Sequence, residues 1–344
     1  MIRFSNIFLC ITIALLLLWQ LPWCYSFFAA KSVRSPFVLY STISGEFITT
    51  RYSDEKGMAV RESQSGVQYT QEEVDSLLPF FYMRQLMADE RFPDTINGVG
   101  FTPREAQMAA FSFRSNPMDI NVVKIPLYPL LESKSGRVDL VMPDDVFRGT
   151  DSGIEFIQSK TNTIDERKSR MFTDMMLKKG FAFPIRYISG NPTARKEYDE
   201  GYLLLDSNGK LFHLKQTVGR PYVRHIELPG DVKAKYLFIT EFKDRKTLGF
   251  ITDEDNRLYV LNNGNYDLVK TGVERFNPET DALSIFGNLF DWTVCVKRHD
   301  GSYYYALDAK DYSLIRSLSI PGEGGSIFGL HFTSPSDKYV KPRL

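Results

Sequence analysis

The chain is poor in cysteine and histidine and has no excess of either charge, and each shortage closes off a class of function. Its 344 residues include only three cysteines and four histidines. Cys10 and Cys24 fall in an apolar N-terminal segment, and Cys295 stands alone in "WTVCV". No disulfide framework and no CxxC metal pair is available. Cys295 reads as a buried, unreactive thiol. His213, His225, His299 and His331 form no HxH or HExxH spacing. His213 and His225 could meet in adjacent strands, but ordinary strand and turn roles suit them better. Lysine plus arginine number 42 and aspartate plus glutamate 42. That balance excludes the basic footprint of a nucleic-acid binder. No Asn-x-Ser/Thr acceptor occurs, which suits a bacterial exported protein better than a eukaryotic secreted one.

What is present is ordinary globular material, 43% apolar and 24% charged, enough to bury a core. Aromatics reach 14%, with 26 Phe and 18 Tyr, a richness that favours β structure. The segment opening "MIRFSNIFLCITIALLLLWQLPWCYSFFAA" is apolar enough for a membrane span or a signal core. Trp19, Trp23 and Tyr25 would sit as interfacial aromatics, and Cys24-Tyr25-Ser26 is a mediocre cleavage site. Residues 1–30 are therefore expected to be an uncleaved anchor. Residues 31–344 then form a periplasmic domain on a single-pass protein of a bacterial inner membrane; the alternative is secretion to the periplasm after cleavage. A third reading, a tethered regulator facing the cytoplasm, is left by charge, because Arg3 lies on one side and Lys31 and Arg34 on the other.

Residues 31–180 read as mixed α+β. Thr70 with Glu73 predicts a capping box before "VDSLLPFFYMRQLMADERF", a helix that Pro79 kinks or divides. Thr102-Pro103-Arg104-Glu105 predicts a second helix through "REAQMAAFSF". Asn162–Asp165 begins a third, stopped by Gly180. "PFVLYSTISGEFITTRYS" predicts a hairpin turning at Ser44-Gly45, and "SGIEFIQSKTN" a strand.

Beyond residue 181 the helical signals stop. "YLLLDSNGKLFHLK", "GFITDEDNRLYVLN" and "TVCVKRHDGSYYYAL" resemble one another, with turn centres Asn208-Gly209, Asp255-Asn256 and Asp300-Gly301 spaced 47 and 45 residues apart. Asn-Gly and Asp-Gly favour two-residue hairpin loops, and a period of about 40–50 residues suggests propeller blades. Two-residue loops would set Leu205 against Phe212, Leu204 against His213, Ile251 against Val260 and Val296 against Tyr305. Both faces of each hairpin are then apolar, as for sheets covered on both sides. The expected fold is mainly β, with propeller-like hairpins in 181–344, helical insertions in 31–180 and one N-terminal helix. Regions 31–180 and 181–344 are expected to form one continuous domain.

Chemistry-bearing patterns are sparse. "DEDN" at 253–256 lacks the glycine and fifth-place ligand of a calcium loop and reads as a turn flanked by a Glu254–Arg257 pair. "GEGGSIFG" at 322–329 fails the phosphate-loop, GxGxxG and GxSxG patterns. Asp144-Asp145 and Asp199-Glu200 read as turn and cap residues, since adjacency does not set carboxylates across a cleft. The densest polar loop is "SGNPTARKEYDEGY", 189–202. Function gathers in such loops, and Arg195, Lys196, Asp199, Glu200 and Tyr202 are the candidate contact residues. An ion-pair network linking the two regions explains them equally well. No cofactor or metal is expected.

Three stretches, "SLLPFFYMRQLMADERFPDTINGVGFTPRE", "YPLLESKSGRVDL" and "SGNPTARKEYDEGYLLLDSNGKLFHLK", resemble an uncharacterised family of Bacteroides and relatives, domain of unknown function 4857. The resemblance covers nearly the whole chain. It implies no activity and no catalytic residue. It implies a Gram-negative envelope location and, as a possible partner, an ABC-transporter component. The expected function is a membrane-anchored extracytoplasmic binding, sensing or accessory role. The alternative is an envelope hydrolase acting on glycan or peptide from a propeller mouth.

Overall fold

The computed structural model describes residues 2–29, 36–52, 59–134, 136, 138–322, 331–332 and 342–343. The N-terminal segment is one helix, α1 (Ile2–Ala29). Its stretch Phe4–Leu21 has a mean hydropathy of 2.0 and none of it is buried. The helix is long enough to cross a bilayer core of about 30 Å; a signal sequence passes the same test.

The short helices start where their caps dictate. In α2 (Gln71–Leu77) and α4 (Pro103–Ala109) the Thr70 and Thr102 hydroxyls accept from the N3 amides, and Glu73 and Glu105 reach back to the cap amides. Pro79 does divide the first helical stretch, since α3 (Met83–Ala88) follows as a separate turn and a half. A further short helix, α5 (Pro117–Asn121), follows Asn116. Asp165 caps α6 (Glu166–Lys178), and Gly180 ends it at φ +84°.

Five antiparallel sheets of three or more strands make up the body, beside two-stranded ribbons such as Thr95–Ile96 with Val99–Gly100. The first holds β1 (Phe37–Ser41), β2 (Glu46–Tyr52) and β3 (Ala59–Ser63). The strand β4 (Phe111–Ser115) comes next in the chain but belongs to the last sheet. The second sheet holds β5 (Asp145–Gly149), β6 (Ile154–Gln158) and β7 (Thr163–Ile164). Two four-stranded meanders follow. One is β8 (Tyr187–Gly190), β9 (Tyr202–Leu205), β10 (Leu211–Thr217) and β11 (Arg220–Ile226). The other is β12 (Ala234–Ile239), β13 (Thr247–Asp253), β14 (Leu258–Asn262) and β15 (Leu268–Lys270). The last sheet runs β16 (Ala282–Gly287), β17 (Asp291–Arg298), β18 (Gly301–Asp308) and β19 (Leu314–Pro321), with β4 added beside β16.

These sheets pack face to face as blades. The face of the first meander that carries Leu204, Phe212 and Leu214 packs on Phe147, Phe156 and Phe172. Its opposite face, with Leu203, Leu205 and Leu211, packs on Leu237, Ile251 and Leu261 of the second meander. Phe250, Leu258 and Val260 then meet Ile285, Val294 and Val296 of the last sheet. Tyr304 and Ala306 meet Val38 and Phe47 of the first. Two-sided burial explains why these strands are apolar on both faces. The fold is mainly β and propeller-like, and the sheets do not close into a single continuous sheet.

Several expectations are corrected. The Asn208-Gly209 and Asp255-Asn256 turns are three-residue loops, not two. Asp206 pairs with Lys210 and Asp253 with Arg257 through backbone hydrogen bonds of 3.0 and 3.3 Å. Gly209 and Asn256 take positive φ, 78° and 61°, as the bulge of such a loop requires. The Asp206 carboxylate accepts from the amides of Asn208 and Lys210, and Asp253 accepts from Asp255 and Arg257 in the same way. The register therefore shifts by one: Leu205 faces Leu211, Leu203 faces His213 and Ile251 faces Tyr259. In the third hairpin the loop is His299-Asp300, so Val296 faces Tyr303. Arg257 pairs with Asp253 and Asp255 at 2.6 and 2.8 Å rather than with Glu254. His225 stands opposite Phe212 and His213 opposite Arg224, so the two imidazoles lie on opposite faces. "FSF" is not helical, because Ala110 is extended and 111–115 alternates into β4. Residues 323–329 of the glycine-rich stretch lie outside the described residues.

Candidate functional site

Three strands with one free edge each, β4, β8 and β12, come together around a cleft of about 890 Å³. Each belongs to a different sheet, so the cleft is framed by the free edges of three blades. The walls are fixed by aromatic packing. Phe111 stacks on Phe242 at 4.0 Å between ring centroids, and Phe113 meets Phe250 at 4.8 Å. Tyr128, Tyr187 and Tyr202 line the side nearest β8.

The loop 189–202 runs along one rim, and its candidate residues divide into two groups. Arg195 is exposed and lines the cleft. Lys196 also lines it, but its ammonium is spent on a buried network. It lies 2.6 Å from Asp199 Oδ2 and 2.6 Å from Glu241 Oε2, and donates to the Asn191 carbonyl at 2.6 Å. Glu241 accepts in turn from the Glu200 amide at 2.9 Å and the Asn191 side chain at 2.8 Å. Asp199 closes an Asx turn onto the Gly201 amide at 2.6 Å. Gly201 has φ +67°, and a Cβ there would run into the Leu214 carbonyl, so glycine is required. Tyr202 is buried, and its hydroxyl donates to the Pro129 carbonyl at 2.6 Å.

Glu200 carries the network to the next strand. Lys215 Nζ donates to Glu200 Oε2 at 2.7 Å. The imidazole of His213 is fully buried between the Glu200 carbonyl, 2.5 Å from Nε2, and the Tyr266 hydroxyl, 2.9 Å from Nδ1. Burial pushes His213 down to about 4, so it is neutral at pH 7. Its ordinary value of 6.5 applies when unfolded, so its contribution to stability is complete above that value and is lost as pH falls toward 4. Burial also raises the carboxyls of Asp199 and Glu241, against Lys196, which favours their charged forms. Three carboxylates and two ammonium groups thus lock the rim loop onto β10 and the segment after β12.

The cleft itself has a different balance. Arg114, Lys124 and Arg195 line it and are exposed, and none forms an ion pair among the described residues. Only two acidic groups among the described residues line it, so the basic ones outnumber them. Asp119 accepts from the Asn116 amide at 2.9 Å, and Glu241 is held by Lys196. The surface left for a ligand is basic, with Ser189, Asn191 and Thr240 as neutral polar groups and tyrosines beside them. Arg114, Lys124 and Glu241 escaped sequence reasoning. The "FSFR" alternation marks a strand, but nothing local says that this strand joins β16 across the fold.

Comparison with known proteins adds little chemistry. No curated protein matches the chain. Among solved structures, the WD40 domain of SCAP from fission yeast is 9% identical with a TM-score of 0.33, over 88% of this chain and 76% of that one. The hydrazine synthase of Kuenenia stuttgartiensis is 10% identical with a TM-score of 0.30 over 58% of this chain, and the match spans 51% of that chain. PorZ, a surface component of the type-IX secretion system of Porphyromonas gingivalis, is 11% identical with a TM-score of 0.26, over 88% of this chain and 29% of that one. The propeller-like character is that of the sheets themselves, packed face to face. The family model described as Domain of unknown function (DUF4857) matches residues 37–307, and the chain belongs to that family.

Proposed function

We propose that this protein is a non-catalytic binding, sensing or accessory protein, held at a membrane by α1 with its β body outside the cytoplasm, and that it takes a negatively charged ligand in the central cleft. The observation that carries the reading is the triad Arg114, Lys124 and Arg195, unpaired among the described residues, above a network that has already neutralised Lys196. Basic side chains from three separate segments converge on one concavity, where charge-assisted hydrogen bonds to carboxylate or phosphate are strong. A membrane-protein partner such as an ABC-transporter component extends this reading, because a single apolar helix supplies the tether and the rim loop the contact.

The first test is affinity for a hexaglutamate peptide against hexaglutamine, measured by calorimetry. The wild type is expected to bind the acidic peptide about tenfold or more tightly, with affinity falling as salt rises. Charge reversal of all three residues (Arg114→Glu, Lys124→Glu, Arg195→Glu) abolishes the preference and leaves stability nearly unchanged, since the side chains are exposed. Equal affinity for the two peptides, or a preference that survives the reversal, counts against the reading. Orientation is tested separately in spheroplasts. External protease should degrade the β body, and protection until lysis would place it in the cytoplasm.

A further inference from the structure

A second cavity, of about 330 Å³, shares only Ser112 with the lining of the cleft. It lies between the β1–β2 turn, the α2–α3 segment and the start of β17, at the low end of the size range of small-molecule sites. Leu39, Leu77, Leu78, Phe80, Ile96 and Phe286 wall it. Tyr40, Thr42, Ser112, Asn288 and Thr293 add neutral polar groups to the lining, and one carboxyl group adds charge. Asp291 lines the cavity and is 1% exposed. Its Oδ2 accepts from the Thr42 hydroxyl, while Oδ1 makes no hydrogen bond of normal geometry among the described residues, although the neutral Asn288 side chain stands close enough to favour the charged form. The charged group that bears on it most is Asp308, which is also negative.

A strut between the β1–β2 turn and β17 needs only the oxygen that Thr42 uses. The second oxygen is an orphan, and orphan buried acceptors are rare enough in folded proteins to call for an occupant. A metal ion is ill served, because Asp291 is the one carboxylate in the described lining and the remaining oxygens are neutral. A neutral alcohol would satisfy the acceptor but not the charge. A group that donates, carries positive charge and ends in hydrocarbon satisfies both.

We propose that this cavity is a binding site for a small apolar primary amine, whose ammonium donates to Asp291 Oδ1 and whose hydrocarbon packs on the leucine and phenylalanine walls. The site is distinct from the cleft and stands whether or not the cleft binds anions. The ligand binds with the carboxylate ionised, so affinity is full at pH 8 and falls as the solution is made acidic.

The test uses the full chain in detergent and three probes of matched shape: 2-phenylethylamine, 2-phenylethanol and ethylbenzene. Calorimetry at pH 8 should give an affinity for the amine about tenfold or more above that for the alcohol. Asp291→Asn keeps the shape of the side chain and should bring amine and alcohol to within about twofold of each other. Equal binding of amine and alcohol to the wild type would overturn the assignment, as would amine preference surviving in Asp291→Asn. A flat titration with all three probes to saturation of their solubility would overturn it too, leaving Oδ1 to a tightly held water. Were the variant to fail to fold, the comparison of the three probes on the wild type decides alone.

Discussion

Replacing Lys196 by methionine is expected to lower the unfolding free energy by about 3–5 kcal/mol. The side chain of Lys196 is 11% exposed, and those of its partners Asp199 and Glu241 are 3% exposed. Methionine fills the stem's volume but leaves two buried carboxylates facing each other without a cation. Their carboxyls are already raised by burial, so without the ammonium they take up protons on folding. The deficit should therefore shrink as pH falls, because protonation removes the repulsion. Glu241→Gln added to Lys196→Met should restore part of the loss, since one of the two uncompensated charges is gone. Urea titration at pH 7.5 and pH 5 checks all three points. A loss below about 1 kcal/mol would mean that the network is solvated and worth no more than surface pairs.

Asp291→Asn should do the opposite and stabilise the folded state at neutral pH by about 2–3 kcal/mol. Burial pushes this carboxyl from 3.8 up to about 6, against the Thr42 hydroxyl and the Asn288 side chain, which favour the charged form. A carboxyl whose folded value lies above its unfolded one weakens folding once it is ionised. That penalty is complete above about pH 6 and disappears as pH falls toward 3.8. The wild type and the variant should therefore differ most near pH 8 and converge near pH 4. Chemical unfolding across that range provides the check, and a variant equal to or weaker than the wild type at pH 8 would show the buried charge to be compensated. A residue retained at such a cost is consistent with a binding role for its cavity, because stability and function commonly oppose each other at sites.

Local signals in the sequence translated faithfully into local structure. Thr70, Thr102 and Asp165 cap helices as their neighbours predict, because a cap is settled within four residues. Pro79 divides its helix for the same reason. The spaced hairpins, with their doubly apolar strands, were legible as blades. Register was not. The choice between a two- and a three-residue loop turned on Asp206 and Asp253, whose side chains accept two amides each and leave Gly209 and Asn256 at positive φ. A one-residue slip moves Leu203 and Leu205 to the other face, yet both faces are buried, so composition alone does not expose the error. The site was the least legible part. Loop 189–202 stood out by its charge density, but Asp199 shares Lys196 with the distant Glu241, and Glu200 is held by Glu241 and Lys215. Arg114 reaches the cleft because β4 pairs with β16, a contact spanning 170 residues from Arg114 to Ser284. No spacing rule connects positions that far apart.

The cleft framed by β4, β8 and β12 is, on the function proposed above, where the protein meets its ligand. Hydrogen–deuterium exchange of the full chain, with and without saturating hexaglutamate, tests it most directly. New protection should be confined to residues 111–124, 187–196 and 237–242, and absent from the triple charge-reversal variant. Protection centred on another surface, or identical in the wild type and the variant, would contradict it.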